Sequence, residues 1–230
     1  MSKFIVDGKV FENNPTLAIG VIVAKGINNC NVIDLNNEFR VITDAIKAKF
    51  SDIELSEYPV IRGWRNLYKS FGEKKNRSSI EALIRRIING KELSFINPLV
   101  DIYNLISLKY EMPCGGEDLD CILADMELTY SNGEELFIPL GSEIEERPNV
   151  GEIIYKFGNN VICRSFNYRE SDLTKLTNKT VNAVLVIENL NTNIEDLNVA
   201  LQELSDMVNK YLGGSNKIAV LDKDNNEIDL

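Results

Sequence analysis

The sequence predicts an α+β fold, sheet packed on sheet with helices covering one side. Two observations carry this. Segments with helical periodicity gather in the first half of the 230-residue chain, and segments parted by short Asn/Gly turns gather in the second. The two kinds do not alternate regularly, so a doubly wound parallel sheet is not expected.

Residues 17–24, LAIGVIVA, form a continuous apolar, β-rich run and are predicted as a buried strand. Residues 39–50 read as a short helix. Ser78 and Glu81 make a capping-box pattern before a helix whose apolar face is Ile80, Leu83, Ile84 and Ile87, with Gly90 ending it. Arg85 and Arg86 lie off that face. Asn97-Pro98 opens the next helix, with Leu99, Ile102, Leu105 and Ile106 inward. It stops by Met112, because Pro113 and Gly115-Gly116 follow. Residues 127–130 and 135–140 flank Ser131-Asn132-Gly133, and residues 152–157 and 161–166 flank Gly158-Asn159-Asn160; both read as hairpins. Residues 184–187 are another buried strand. Asn193 caps a last amphipathic helix closed by Gly213-Gly214, and residues 217–230 read as a terminal hairpin. The whole of 1–230 is expected to be one domain.

Composition narrows the chemistry. Apolar residues make up 44% and charged residues 26%, the balance of a water-soluble globular chain. No apolar run approaches the roughly 18 residues of a membrane span, and the N-terminus has no signal-peptide core; a cytoplasmic protein is expected. The four cysteines (Cys30, Cys114, Cys121, Cys163) form no CxxC pair and are expected to be buried or half-buried reduced thiols. There is no histidine, which excludes imidazole catalysis and histidine metal sites. No metal and no cofactor are expected. There is no GxGxxG, P-loop or GxSxG motif.

The net charge of −10 argues against loose binding to nucleic acid, DNA included. It is uneven, though. Residues 62–91 hold nine basic side chains (Arg62, Arg65, Lys69, Lys74, Lys75, Arg77, Arg85, Arg86, Lys91) against Glu73 and Glu81, so this stretch is +7 and the rest −17. Trp64, Tyr68 and Phe71 are interleaved. Such a strip is either a confined RNA contact or a solvated helix face and loop.

Two stretches stand out. One is NPLVDIYN (97–104), running on to MPCGGEDLD (112–120). The other is Gly151-Glu152, then CRSFNYR (163–169), with Thr174, Thr177, Thr180 and Glu188 beyond. Over residues 62–190 these resemble the B3/B4 domain, the editing module of the phenylalanyl-tRNA synthetase β subunit. They resemble its stand-alone relatives more closely, through GGxDLD, a GE-plus-hydrophobic strand and a CR-x-x-N-x-R segment. The synthetase's other domains have no counterpart in these residues, so the chain is not expected to aminoacylate tRNA by itself. The resemblance implies a three-layer sheet–sheet–helix domain with a pocket that accepts a tRNA 3′ end carrying the wrong amino acid and hydrolyses its ester. For stand-alone relatives it implies a trans-editing deacylase, with an arginine mimic such as canavanine among the substrates. The basic strip (Arg62, Arg65, Lys74, Lys75, Arg77, Arg85, Arg86) would then touch tRNA.

Matched position by position, Asn97, Asp101 and Asn104 fit the first run, and Asp118 and Asp120 the second. Tyr103 stands where the synthetase module has a pocket threonine, and Gly115 where it has a histidine. Glu188 lies at the spacing of a pocket glutamate. The expected machinery is Gly115, Gly116 and Asn104 for catalysis, with Tyr103, Asp118, Arg164, Asn167, Arg169 and Glu188 around the substrate. An aminoacyl ester is already activated, so positioning, glycine amides near the carbonyl and the ribose hydroxyl can suffice without histidine. Each residue also has a structural reading: Asn97 as an N-cap, Asp101 and Asn104 as a tie to a loop, Gly115-Gly116 as a tight turn, Arg164 and Arg169 as strand-surface charges. Trp64 and Tyr68 read as core or groove wall. The alternative function is a module of the same fold that binds RNA or an amino acid without turnover.

Overall fold

The computed structural model describes residues 2–93, 95–191 and 193–230. In chain order, β1 (Lys3–Val6) and α1 (Gly8–Asn13) lead to β2 (Ala18–Lys25). Four helices follow: α2 (Asn36–Lys49), α3 (Pro59–Ser70), α4 (Ser79–Ile88) and α5 (Pro98–Tyr110). Then come β3 (Cys114–Asp118), β4 (Met126–Tyr130), β5 (Ile153–Phe157), β6 (Asn160–Arg164), β7 (Arg169–Glu170) and β8 (Asn182–Asn189). The long helix α6 (Ile194–Leu212) and strands β9 (Ser215–Leu221) and β10 (Glu227–Asp229) finish the chain.

The strands form two sheets. One runs β10-β1-β4-β5-β6-β7, and the other β3-β8-β2-β9. The four-stranded sheet is central. The run at β2 is buried on both faces, which is why it reads as an unbroken apolar stretch. One face meets the six-stranded sheet and the other meets α6, where Gly20 lies close under Leu197 and Leu201. This is the expected α+β arrangement in three layers.

Helix ends follow their local chemistry. Ser78 accepts from the Glu81 amide (3.3 Å), Asn97 from the Val100 amide (3.1 Å) and Asn193 from the Glu195 amide (3.1 Å). The capping box at Ser78 is only half formed. The Glu81 carboxylate turns instead to Arg65 (2.6 Å) and Arg85 (2.7 Å), because a fully buried charge needs a cation more than an amide.

Three expectations fail, and one helix has no counterpart in the sequence reading. Residues 135–140 do not pair with β4, whose two edges are taken by β1 and β5. Side chains turn this loop instead: the Gly133 amide donates to Ser131 Oγ (2.8 Å), which donates to Glu135 (2.6 Å). The C-terminal hairpin does not form either. β9 pairs with β2 and β10 with β1, so the two strands enter different sheets. Helix α3 was not foreseen, although Pro59 at its first position is a good start signal. Finally, residues 114–118 are a strand at the free edge of the central sheet, not a glycine turn. The hairpin of β5 and β6 does form, and the strand at β8 extends from Asn182 to Asn189.

Gly214 closes the layers after α6, with φ +80° and a notional Cβ 2.4 Å from the Lys25 carbonyl oxygen. Gly214→Ala therefore meets both a strained conformation and fixed backbone. Urea denaturation should show it destabilised by at least about 2 kcal/mol.

Candidate functional site

Between the two sheets lies a cavity of about 20 Å³. Strand β3 brings Gly115, Gly116 and Glu117 to it, and β8 brings Val184, Val186 and Glu188. The six-stranded sheet brings Met126, Tyr155, Cys163 and Glu170, and the turn after β6 brings Phe166 and Asn167. Strand alternation decides which side chains enter. Cys163 pairs with Glu170 across β6 and β7 and both face the cavity, whereas the next pair, Arg164 and Arg169, is not among its walls.

The polar walls of the cavity include three carboxyl groups, with Tyr155 and Asn167 beside them and no cation. Glu188 accepts from the Tyr155 hydroxyl (2.6 Å) and from Asn167 Nδ2 (2.5 Å). Burial pushes its pKa up to about 8, those two hydrogen bonds pull it down, and the Glu170 charge adds to the rise. Burial first, then Glu170, holds Glu117 well above the usual carboxylate range, while Thr174 donates to its Oε2 (2.5 Å). Burial also raises Glu170. Tyr103 on α5 is half-buried against the core and is not among the cavity walls; burial first, then the Glu170 and Glu117 charges, holds its pKa well above the ordinary tyrosine value. Among the described residues, no group of three or more such side chains is arranged to hold a metal ion.

The turn that delivers Asn167 is held in place by Glu152. Ser165 and Phe166 both have positive φ, +47° and +66°. The Ser165 amide (2.9 Å) and hydroxyl (2.8 Å) donate to Glu152, which is fully buried and also receives Arg164 (2.7 and 3.0 Å). Phe166 is locked between Trp64 and Tyr155 at ring separations of 5.3 and 6.0 Å. Asn167 Oδ1 then accepts from the Tyr68 hydroxyl (2.7 Å) and the Ser79 amide (3.2 Å), tying the cavity to α3 and α4.

The expected site residues therefore divide. Gly115, Gly116, Asn167 and Glu188 meet at the cavity. Asn104 lies elsewhere, in a groove beside Phe39, Phe95 and Asp101. Asp118 is not among the cavity walls; it accepts from the Thr180 hydroxyl (2.7 Å) and the Asp120 amide (3.1 Å). Arg164 and Arg169 both bind Glu146 (3.1 and 2.8 Å) and flank the Phe137 ring. Sequence reasoning missed Glu117 and Glu170. Each was adjacent to a residue singled out, but the strand alternation that turns them inward was not legible. The cysteine expectation holds for Cys114 and Cys163; Cys30 and Cys121 are exposed. The Cys114 thiol is pushed far up by burial, so it is no nucleophile.

A family model for the B3/4 domain matches residues 63–216. The chain belongs to the B3/4 domain family. It is also similar to a solved N-terminal fragment of the phenylalanyl-tRNA synthetase β-subunit from Pyrococcus horikoshii, with 13% identity and a TM-score of 0.45. That match covers 94% of this chain and 49% of the fragment, so the chain spans about half the fragment's length. No curated protein matches the sequence.

In this B3/4 domain the basic strip is partly neutralised. Arg65, Arg77 and Arg85 converge on the single carboxylate of Glu81. Burial pushes Glu81 up, but the Arg65 and Arg85 hydrogen bonds overcome it and its pKa is lowered. Arg62, Lys74 and Lys75 remain exposed without an ion-pair partner among the described residues. Trp64 and Tyr68 are 2% and 1% exposed, so they are core and do not stack on bases. No helix of the described residues is long and apolar enough to cross a membrane.

The raised carboxyls set the pH dependence of stability. Glu188 keeps its proton in the folded state up to about pH 8 and loses it near pH 4.5 when unfolded, so folding binds a proton between these values. Stability should be fullest below about pH 4.5 for this group and fall as pH rises through about 8. Denaturation curves between these limits should show a shallower fall in Glu188→Gln, by up to roughly 1.4 kcal/mol per pH unit.

Proposed function

We propose that this B3/4 domain is a trans-acting deacylase that hydrolyses the ester of a mischarged tRNA, with an arginine-like amino acid as the preferred charge. The observation that carries the reading is the cavity: the buried carboxyls of Glu117 and Glu188 with that of half-buried Glu170, no cation, and a glycine pair on a free strand edge. Every aminoacyl ester brings an α-ammonium, and an arginine-like side chain brings a second cation. Either would restore to these carboxyls the partner that burial denies them.

The glycines suit the approach of an ester. The Asp118 amide points away from β8 and donates to the Thr174 carbonyl (2.8 Å), while the Pro113 carbonyl points toward β8 and accepts from the Glu188 amide. By strand alternation the Gly116 amide shares the outward side with Asp118. An outward N–H without a side chain over it is a donor for a developing oxyanion. The cavity itself, about 20 Å³, accommodates one water molecule. An arginine-sized side chain enters only if the sheets part around it. The second reading is a domain that binds RNA or an amino acid without turnover, and the small volume favours its RNA-binding form.

The discriminating experiment is a deacylation assay on a panel of mischarged tRNAs, arginine analogues included. Release of amino acid above background supports the deacylase; an intact panel with retained tRNA binding supports the second reading. The exposed cations offer an independent check. Reversing Arg62, Lys74 and Lys75 to Glu should weaken tRNA binding at least about tenfold and flatten its salt dependence, leaving thermal stability unchanged. Arg85 is unsuitable for such a test, because its removal uncovers the buried Glu81.

A further inference from the structure

We propose that Glu170 is the general base of this site, its Oε2 holding the attacking water in the cavity beside Gly115 and taking the water's proton as the ester is cleaved. The inference rests on the deacylase reading above.

Four observations single out Glu170. Its Oε2 is buried and has no hydrogen-bond partner. A buried acceptor left unsatisfied is costly, so the site calls for a donor. The adjoining space is the right size for one water. The other two carboxyls are committed: Glu188 has Tyr155 and Asn167 on its two oxygens, and Glu117 has Thr174. Glu170 is also against the glycine pair, its Oε1 only 3.5 Å from where a Cβ on Gly115 would stand.

The neighbouring groups bear on which carboxyl ionises first. Burial raises both, and their mutual contact raises Glu117 further while opposing the rise of Glu170, so Glu170 is the readier of the two to carry the charge. Cys163 lies across from Glu170 on β6, and its thiol donates to the Arg164 carbonyl oxygen (3.8 Å). The remaining groups around it are Glu188 on β8, Tyr155 on β5 and Tyr103 on α5, all held in their protonated forms by burial first of all. With no histidine in the chain, this carboxylate is the base the cavity provides.

The step balances. Water gives a proton to Glu170 Oε2 while its oxygen bonds the ester carbonyl carbon, and the outward Gly116 amide donates to the resulting oxyanion. Collapse breaks the bond between that carbon and the ribose oxygen. The proton on Glu170 passes to the ribose oxygen, leaving free amino acid, a tRNA terminal hydroxyl and the carboxylate restored.

The test is single-turnover deacylation of the mischarged-tRNA panel by the full chain, Glu170→Gln and Gly115→Ala. The added Cβ of Gly115→Ala lies 3.5 Å from Glu170 Oε1 and 3.8 Å from Val186, ordinary contacts that keep the fold while filling the water's space. Both variants should lose about 100-fold or more in rate with tRNA affinity unchanged, and Glu170→Gln should lose the basic dependence of the pH–rate profile. If Glu170→Gln does not fold, the unmodified protein still reports. A rate that rises with pH on one ionisation, with a normal solvent isotope effect, supports the base, and a flat profile overturns it. An active unmodified protein whose rate and profile survive in Glu170→Gln overturns the base alone. Inertness of the unmodified protein across the panel overturns the deacylase reading and the base with it.

Discussion

The burial of glutamate is the constraint on which this structure turns. Glu81, Glu135 and Glu152 are buried and each has a cation in reach: Arg65 and Arg85, Lys156, and Arg164 respectively. Each is held below its ordinary pKa despite desolvation. Glu117, Glu170 and Glu188 share one cavity with no cation, and each is held above it. The same residue type thus does two jobs in one chain. Paired, it fastens elements together; unpaired, it stores a demand for protons or for a positively charged guest.

The paired glutamates build the place where the unpaired ones sit. Glu152 holds Ser165 and Phe166 in left-handed conformations, which ends β6 and swings Asn167 onto Glu188. A non-glycine pair with positive φ is stable only when its surroundings over-determine it. Here the Glu152 hydrogen bonds and the Trp64 and Tyr155 rings do so. Glu81 gathers the arginines of α3 and α4, and Tyr68 and Ser79 on those helices complete the shell of Asn167. The cationic partners are therefore consumed outside the cavity, which leaves its carboxyls alone.

That division also bears on the proposed hydrolysis without histidine. A carboxylate buried beside protonated neighbours is a stronger base than one in water, because removal from solvent disfavours its charge. Glycine on an edge strand leaves both an exposed amide and an empty Cβ position next to that carboxylate. Gly116 tolerates no side chain, since a Cβ there would stand 2.5 Å from Leu185, whereas Gly115 has room. The first glycine is demanded by packing and the second by what lies in front of it.

Local chemistry was legible in the sequence wherever it acts along the chain. The caps at Ser78, Asn97 and Asn193, the stop after α5, the buried strand at β2 and the turn between β5 and β6 follow from residues within a few positions of one another. So did the glycine pair, Asn167 and Glu188, through a resemblance carried by motifs. What failed needed partners far away. The 127–140 hairpin lost to β1 and β5, and the C-terminal hairpin lost to β1 and β2, because a strand edge pairs with whichever neighbour the whole sheet supplies. Arg164 and Asp118 sat in the right motif, but strand alternation and turn hydrogen bonds committed them elsewhere. Glu117 and Glu170 were unmarked, because a carboxyl becomes unusual only when burial removes its water and distant strands withhold a cation. The sequence by itself determined helices α2, α4, α5 and α6, the core strands β2 and β8, and the absence of imidazole. Only the tertiary structure decided which acids are paired and which are left facing one another, since that depends on contacts between segments far apart in the chain.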